Sequence, residues 1–160
     1  MAYKTIVLKG EPIRKEGIAS EAITPGHLLE FVPSGGDAGQ LRKHTDAGLN
    51  ASPMFAVEED FVGDDIDTAY ADGSTVQYVV GRPGDEIYAI LADNQTIVAG
   101  DFLESGDNGQ LRKHTAPSQA VDEGGSATYT ITQHTKAIIV QAMEAKTTSG
   151  ATARLIVQVV

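Results

Sequence analysis

Cysteine and tryptophan are absent from this 160-residue chain, and aromatic residues make up only 6% of it. Without cysteine, no disulfide can staple the fold and no zinc can be held through thiolates. A reducing cytoplasm at synthesis is therefore the simpler expectation. Without tryptophan, the core has to be built from Val, Ile, Leu and Ala, the bulk of a 41% hydrophobic content. No apolar stretch approaches the roughly 20 residues of a membrane-spanning helix. Met1-Ala2-Tyr3-Lys4-Thr5 lacks the charged-then-apolar pattern of a secretion signal, so Met1 reads as the initiator.

Positive charge is scarce as well. Twelve Lys and Arg stand against 22 Asp and Glu, a net charge of −10 that opposes binding to nucleic acid. The ordinary reading of such a balance is solubility. The sharper one is an acidic outward surface, with basic residues kept for a docking face. Lys4, Lys9, Arg14 and Lys15 place four of the twelve basic residues in the N-terminal arm.

What is present is a repeat. Gly-Gln-Leu-Arg-Lys-His-Thr occurs at Gly39–Thr45 and again at Gly109–Thr115, which points to a duplicated unit. Upstream the copies align at an offset of 74 (97 minus 23): Ile23 falls on Ile97, Gly26 on Gly100, Leu29 on Leu103 and Glu30 on Glu104. The same offset sets Gly10-Glu11 on Gly84-Asp85, Ile13 on Ile87 and Ile6 on Val80. At the heptapeptide the offset falls to 70 (109 minus 39), so the first copy carries four extra residues, in the Pro- and Gly-containing stretch Phe31–Gly36. Downstream, Ala56-Val57-Glu58 faintly resembles Ala142-Met143-Glu144. The expected division is 1–74, with its N-terminal arm, and 75–160, which can also pack as one compact domain.

Seventeen Gly and six Pro punctuate short apolar runs, as strands joined by tight turns require. Strands are expected at Thr5–Lys9, Leu28–Val32, Gln40–His44, Met54–Val57, Thr75–Val80, Glu86–Leu91, Thr96–Val98, Ala127–Gln133 and Arg154–Val160. Lys136–Met143 reads as a strand or one helical turn, and Ser118–Glu123 as the one short helix. The fold class is mostly β: two tandem related β-barrel- or β-sandwich-like units from an internal duplication, with at most one or two short helices. A chain of this length can bury one sizeable core or two small ones.

Chemistry is hard to place. Of His27, His44, His114 and His134, the second and third sit at equivalent repeat positions. A paired metal or acid/base site is weighed against repeated strand-end residues facing solvent, and no HxH or HExxH spacing favours the former. The acidic run Glu58-Glu59-Asp60, with Asp64-Asp65, Asp67 and Asp72, does not follow the calcium-loop template and reads as a solvated loop. No Gly-x-Ser-x-Gly elbow or phosphate-binding loop is present. No catalytic, cofactor-binding or metal-binding residue is assigned, and the chain is read as a non-enzyme. For Arg42-Lys43 and Arg112-Lys113, fold-supporting strand residues are weighed against two equivalent docking points for acidic surfaces.

Pro83-Gly84-Asp85-Glu86-Ile87-Tyr88-Ala89-Ile90-Leu91-Ala92-Asp93, followed by Thr96-Ile97-Val98-Ala99-Gly100-Asp101-Phe102-Leu103-Glu104-Ser105, resembles the head decoration (capsid cement) proteins of tailed bacteriophages. Gly109-Gln110-Leu111-Arg112 and Ala142-Met143-Glu144-Ala145 suit the same pattern, and the first copy repeats it more loosely. The resemblance implies a β-rich virion protein that binds the exterior of an icosahedral capsid and stabilises contacts between major capsid subunits. It implies the major capsid protein and the chain itself as partners, in a homotrimer or pseudo-symmetric oligomer, with no cofactor, nucleic acid or membrane. Synthesis in the host cytoplasm and residence on the capsid exterior follow from it. The docking candidates are Tyr3, Lys4, Lys9, Arg14, Lys15, Arg42, Lys43, Arg112 and Lys113. The arm Met1–Glu16 is the expected element to order on a neighbour by strand addition. The alternatives are a non-catalytic surface-binding module, for example for carbohydrate, disfavoured by the lack of aromatic platforms, and a hydrolase using the acidic loop with His44 or His114.

Overall fold

A computed structural model describes residues 3–59, 63–116, 118–122, 128–132 and 137–160, the segments 118–122 and 128–132 through their backbone. The strands are β1 (Val7–Lys9), β2 (Ile13–Ile18), β3 (Leu29–Phe31), β4 (Leu41–Lys43), β5 (Met54–Ala56), β6 (Thr75–Val80), β7 (Glu86–Leu91) and β8 (Thr96–Ile97). They continue as β9 (Phe102–Ser105), β10 (Leu111–Lys113), β11 (Ser118–Asp122), β12 (Thr128–Thr132), β13 (Val140–Ala142), β14 (Lys146–Thr147) and β15 (Ala153–Val159). The protein is all-β among the described residues.

The second half closes on itself. Strands β7, β10, β9, β13 and β15 pair in that order, and β15 pairs again with β7, giving a closed five-stranded barrel. The first half runs the same circuit. Strand β2 pairs with β6 and β6 with β5, and single bridges, Ala19 to Leu41 and Leu28 to Phe55, join these to the β3–β4 hairpin. Even the register repeats. Leu29, Glu30 and Phe31 face Lys43, Arg42 and Leu41, as Leu103, Glu104 and Ser105 face Lys113, Arg112 and Leu111. The bridge from Ile23 to Tyr70 takes the place of the β8–β14 pair, in which Ile97 faces Lys146. Strands β2, β3, β4, β5 and β6 thus correspond to β7, β9, β10, β13 and β15.

Hydrogen bonding does not divide at residue 74. Strand β6 belongs with β2 and β5, while β1 pairs antiparallel with β7, Val7 facing Ile87. The upstream alignment also shifts. Ala19 bridges Leu41 where Leu91 faces Leu111, so β2 and β7 correspond at an offset of 72 (91 minus 19), not 74. The two additional residues of the second copy fall in the turn after β7, where Asn94 adopts a positive φ of 56°. The expected helix at Ser118–Glu123 is instead strand β11, in register with β12 from Ser118 facing Thr132 to Asp122 facing Thr128. Within Lys136–Met143 the strand alternative is the observed one, at Val140–Ala142.

Two apolar clusters form the core. Leu29, Leu41, Met54, Ala56, Val76 and Tyr78 fill the first barrel. Ile87, Ala89, Leu91, Leu103, Leu111, Val140, Leu155 and Val157 fill the second. Alternation along β5 and β6 sends Phe55 and Val79 the other way, where they join Ile6, Leu28, Val57 and Ile66 in the second cluster. One outer face of the first barrel is therefore buried against the second. The second barrel does not repeat that face: Phe102, Gln141, Met143 and Gln158 stand where the first has Leu28, Phe55, Val57 and Val79. Phe102 is 45% exposed there, and the glutamines donate to turn carbonyls, Gln141 to Gly100 and Gln158 to Gly84.

Candidate docking surface

The repeated heptapeptide supplies a strand and its anchors twice. Leu41 and Leu111 are buried in their respective cores. Gly39 and Gly109 enter the strands with φ of +85° and +70°, values that glycine adopts without a steric penalty. A side chain at Gly109 would also press within 3.0 Å of the Leu28 carbonyl, because the barrels meet there. Around that junction Leu28 N–H donates to Gly109, His44 N–H to Leu28 and Gly109 N–H to His44, at 2.8 to 2.9 Å.

The charged residues of both copies are tied inside their own barrels. Arg42 Nε donates to Glu30 at 2.8 Å, and Arg112 contacts Glu104 through Nε at 2.9 Å and a terminal nitrogen at 2.8 Å. Lys43 pairs with Glu21 at 3.2 Å and Lys113 with Asp101 at 2.8 Å. The backbone N–H of Lys43 is received by Glu21, as that of Lys113 is by Gln95, the residue aligned with Glu21. Burial works against ionising Glu30, but the Thr45 hydrogen bond and the His44 and Arg42 charges outweigh it and hold the carboxyl below its ordinary value. The hydrogen bond from Lys113 does the same for Asp101.

The two equivalent histidines differ. His114 Nδ1 lies 2.5 Å from Glu104. His44 is buried between the barrels, Nδ1 2.8 Å from Ser105 Oγ and Nε2 3.6 Å from Glu30, so it is not the solvent-facing strand end expected for it. His134 lies outside the described residues. Among the described residues no group of three or more His, Asp or Glu is arranged to hold a metal.

His27 is a strongly perturbed histidine. Burial, and secondarily the Lys43 charge, push it down to about 4 from 6.5, and its Nδ1 accepts the Thr24 N–H at 3.1 Å. The unfolded chain therefore takes up this proton first as pH falls. The neutral ring's stabilisation is complete above about pH 6.5 and is lost as pH falls towards 4. The contribution is about 3 kcal/mol. Urea titrations from pH 7 to pH 4 are expected to show a flatter stability profile for His27→Asn, which keeps an acceptor near Nδ1; equal slopes would refute it.

The N-terminal arm is not free along its described length. Ile6 is buried, its N–H donates to Glu58 Oε2 at 3.0 Å, and the Thr5 hydroxyl donates to the same carboxylate. Tyr3 meets Tyr88 edge-on, with ring centroids 5.3 Å apart, and Lys9 pairs with Glu86 at 3.0 Å. Glu58, expected in a solvated acidic loop, is only 3% exposed. Asp85 likewise receives the N–H groups of Glu11 and Arg82. Arg154 crosses between the barrels to Asp67 and to the carbonyls of Pro25 and Ile66. Glu58 thus belongs with the N-terminal arm and not with the solvated acidic loop, and Arg154 carries a contact between the barrels that no local motif marks. Of the docking candidates, Tyr3, Lys4, Lys9, Arg14, Lys15 and Lys113 are exposed, Arg14 and Lys15 on β2, while Arg42, Lys43 and Arg112 are half-buried.

No family model matches the chain, and no curated protein does. Among solved structures it is similar to the N base of the head fiber protein gp8.5 of bacteriophage phi29, with a TM-score of 0.55 and 11% identity over 94% of this chain and 95% of that one. At that identity the likeness is one of fold.

Proposed function

We propose that the chain is a structural protein of a phage virion that binds the exterior of the head and reinforces contacts between major capsid subunits. The observation that carries this reading is the fold likeness, which runs through nearly the whole of both chains and leads to a head fiber base. The net charge of −10 and the resemblance of Pro83–Ser105 to head decoration proteins point the same way. In this reading the chain has no catalytic step, cofactor, nucleic-acid partner or membrane partner. It acts as an oligomer, so that contacts modest in isolation add through effective concentration.

The test is co-sedimentation with purified empty phage shells that lack this chain. Saturable binding is expected, together with a higher temperature of shell disruption when the chain is bound. If the protein stays in the supernatant at every ratio, the reading is wrong.

A further inference from the structure

Tyr3 and Tyr88, 85 residues apart in the chain (88 minus 3), meet on the outer face of the second barrel, where Tyr88 on β7 faces Ile156 on β15. The aromatic platform missing from any single segment is assembled here by tertiary contact. Tyr3 is 45% exposed and forms a wall common to two clefts. The first, of about 340 Å³, lies where the barrels join and is lined by Tyr3, Lys4, Asp65, Asp67, Tyr88 and Arg154. The second, of about 450 Å³, runs beside the arm between Lys9, Glu86, Met143 and Ile156. Both volumes are those of small-molecule sites, which favour the junctions of domains.

Charge in the clefts is balanced. Lys4, Lys9 and Arg154 stand against Asp65, Asp67 and Glu86, on a chain whose net charge is −10. The carboxylates are also partly engaged. Asp67 pairs with Arg154 at 2.6 Å and Glu86 with Lys9 at 3.0 Å. Asp65 Oδ1 receives the N–H groups of Asp67 and Thr68 and the Thr68 hydroxyl, which among the described residues leaves Oδ2 open. A charged ligand therefore meets as much repulsion as attraction. A neutral ligand rich in hydroxyls finds acceptors in the carboxylates, donors in the ammonium groups and an aromatic face between them. Tyr70 gives its hydroxyl to the Val57 carbonyl, but among the described residues the hydroxyls of Tyr3 and Tyr88 have no such partner. Arg154 Nε is likewise buried without an acceptor.

We propose that the two clefts bind a neutral saccharide, a short chain of hexose or N-acetylhexosamine units laid across the Tyr3 ring with a sugar in each cleft. One face of a sugar ring is apolar C–H and its rim is hydroxylated, which matches an exposed phenol set among carboxylates and ammonium groups. Glu58, which receives the Ile6 N–H and the Thr5 hydroxyl, fixes the arm just beyond Tyr3 and so holds the ring over the groove. The site is separate from capsid attachment: shells that bind while no sugar does leave the capsid reading intact.

Saturation-transfer NMR on the full chain tests this, with glucose, galactose and N-acetylglucosamine and their linear di- to tetrasaccharides as probes. Transfer to at least one series is expected, with affinity rising about tenfold from the monosaccharide to the longer chains as the second cleft fills. Tyr3→Ala is expected to weaken binding by about tenfold or more, and Tyr3→Phe, which keeps the ring, to retain most of it. Tyr3 lies at the exposed end of the arm, so both variants keep the barrel cores intact. No transfer to any probe at about 10 mM, a concentration that detects contacts of only a few kcal/mol, overturns the proposal. So does undiminished binding by Tyr3→Ala. Glucosamine or glucuronate binding more tightly than its neutral parent would also overturn it, by showing that the clefts select charge.

Discussion

Glu104→Ala is expected to destabilise the protein by about 3 kcal/mol, while Glu30→Ala at the equivalent position costs about 1 kcal/mol. Both carboxylates serve the Arg and His of the same heptapeptide, so chemistry does not separate them. Burial does: the Glu104 side chain is 4% exposed and that of Glu30 is 21% exposed. Removing Glu104 leaves His114 Nδ1, 2.5 Å from its partner and only 10% exposed, without its counter-group. Arg112 is 41% exposed and recovers water, which holds the loss near the lower end for broken buried pairs. Glu30 is itself nearer solvent, so less of its pairing is made in a desolvated site, and His44 keeps its bond to Ser105 when it is removed. For a protein of this size the first change corresponds to roughly 6–12 °C in Tm by calorimetry. Equal shifts for the two variants would mean that burial is not what distinguishes the copies.

This pair of sites also shows where the fold was readable. Within the heptapeptide one short segment contains the entry turn, the core leucine and both cations, and the aligned Glu30 and Glu104 fall directly across the hairpin. The register of the β3–β4 and β9–β10 hairpins was therefore contained in identities close together in the chain. Strand β2 is absent from the expected strands, and the repeat alignment over it is off by two residues. Lys15 and Gly17 stand where β7 has Ile87 and Ala89, so β2 has no apolar alternation to fix its alignment. The helix expected at Ser118–Glu123 rested on a run too short for a helical period to be distinguished from a hairpin strand. Glu58 and Arg154 were out of reach for a different reason. Their partners are 53 and 87 residues away in Thr5 and Asp67, and nothing local marks a charge that will be buried by so distant a contact.

Phe55→Gln should have the largest effect of any single change at the barrel junction, about 4 kcal/mol, because it removes a fully buried ring and places an amide among apolar neighbours. The change installs in the first barrel the residue that the second has at the same place, Gln141. Phe55 packs in one cluster with Leu28 and Val79, and with core residues of the second barrel. Its loss is therefore expected to uncouple the halves as well as lower stability, so that a single calorimetric transition broadens or splits. Gln141→Ala, by contrast, removes one hydrogen bond to the Gly100 carbonyl at a half-buried site and should cost less than about 1 kcal/mol. A face bearing Phe55 and Val79 recruits a neighbouring barrel, and one bearing Gln141 and Gln158 does not. If both substitutions destabilised equally, the second face would be buried in solution against another copy.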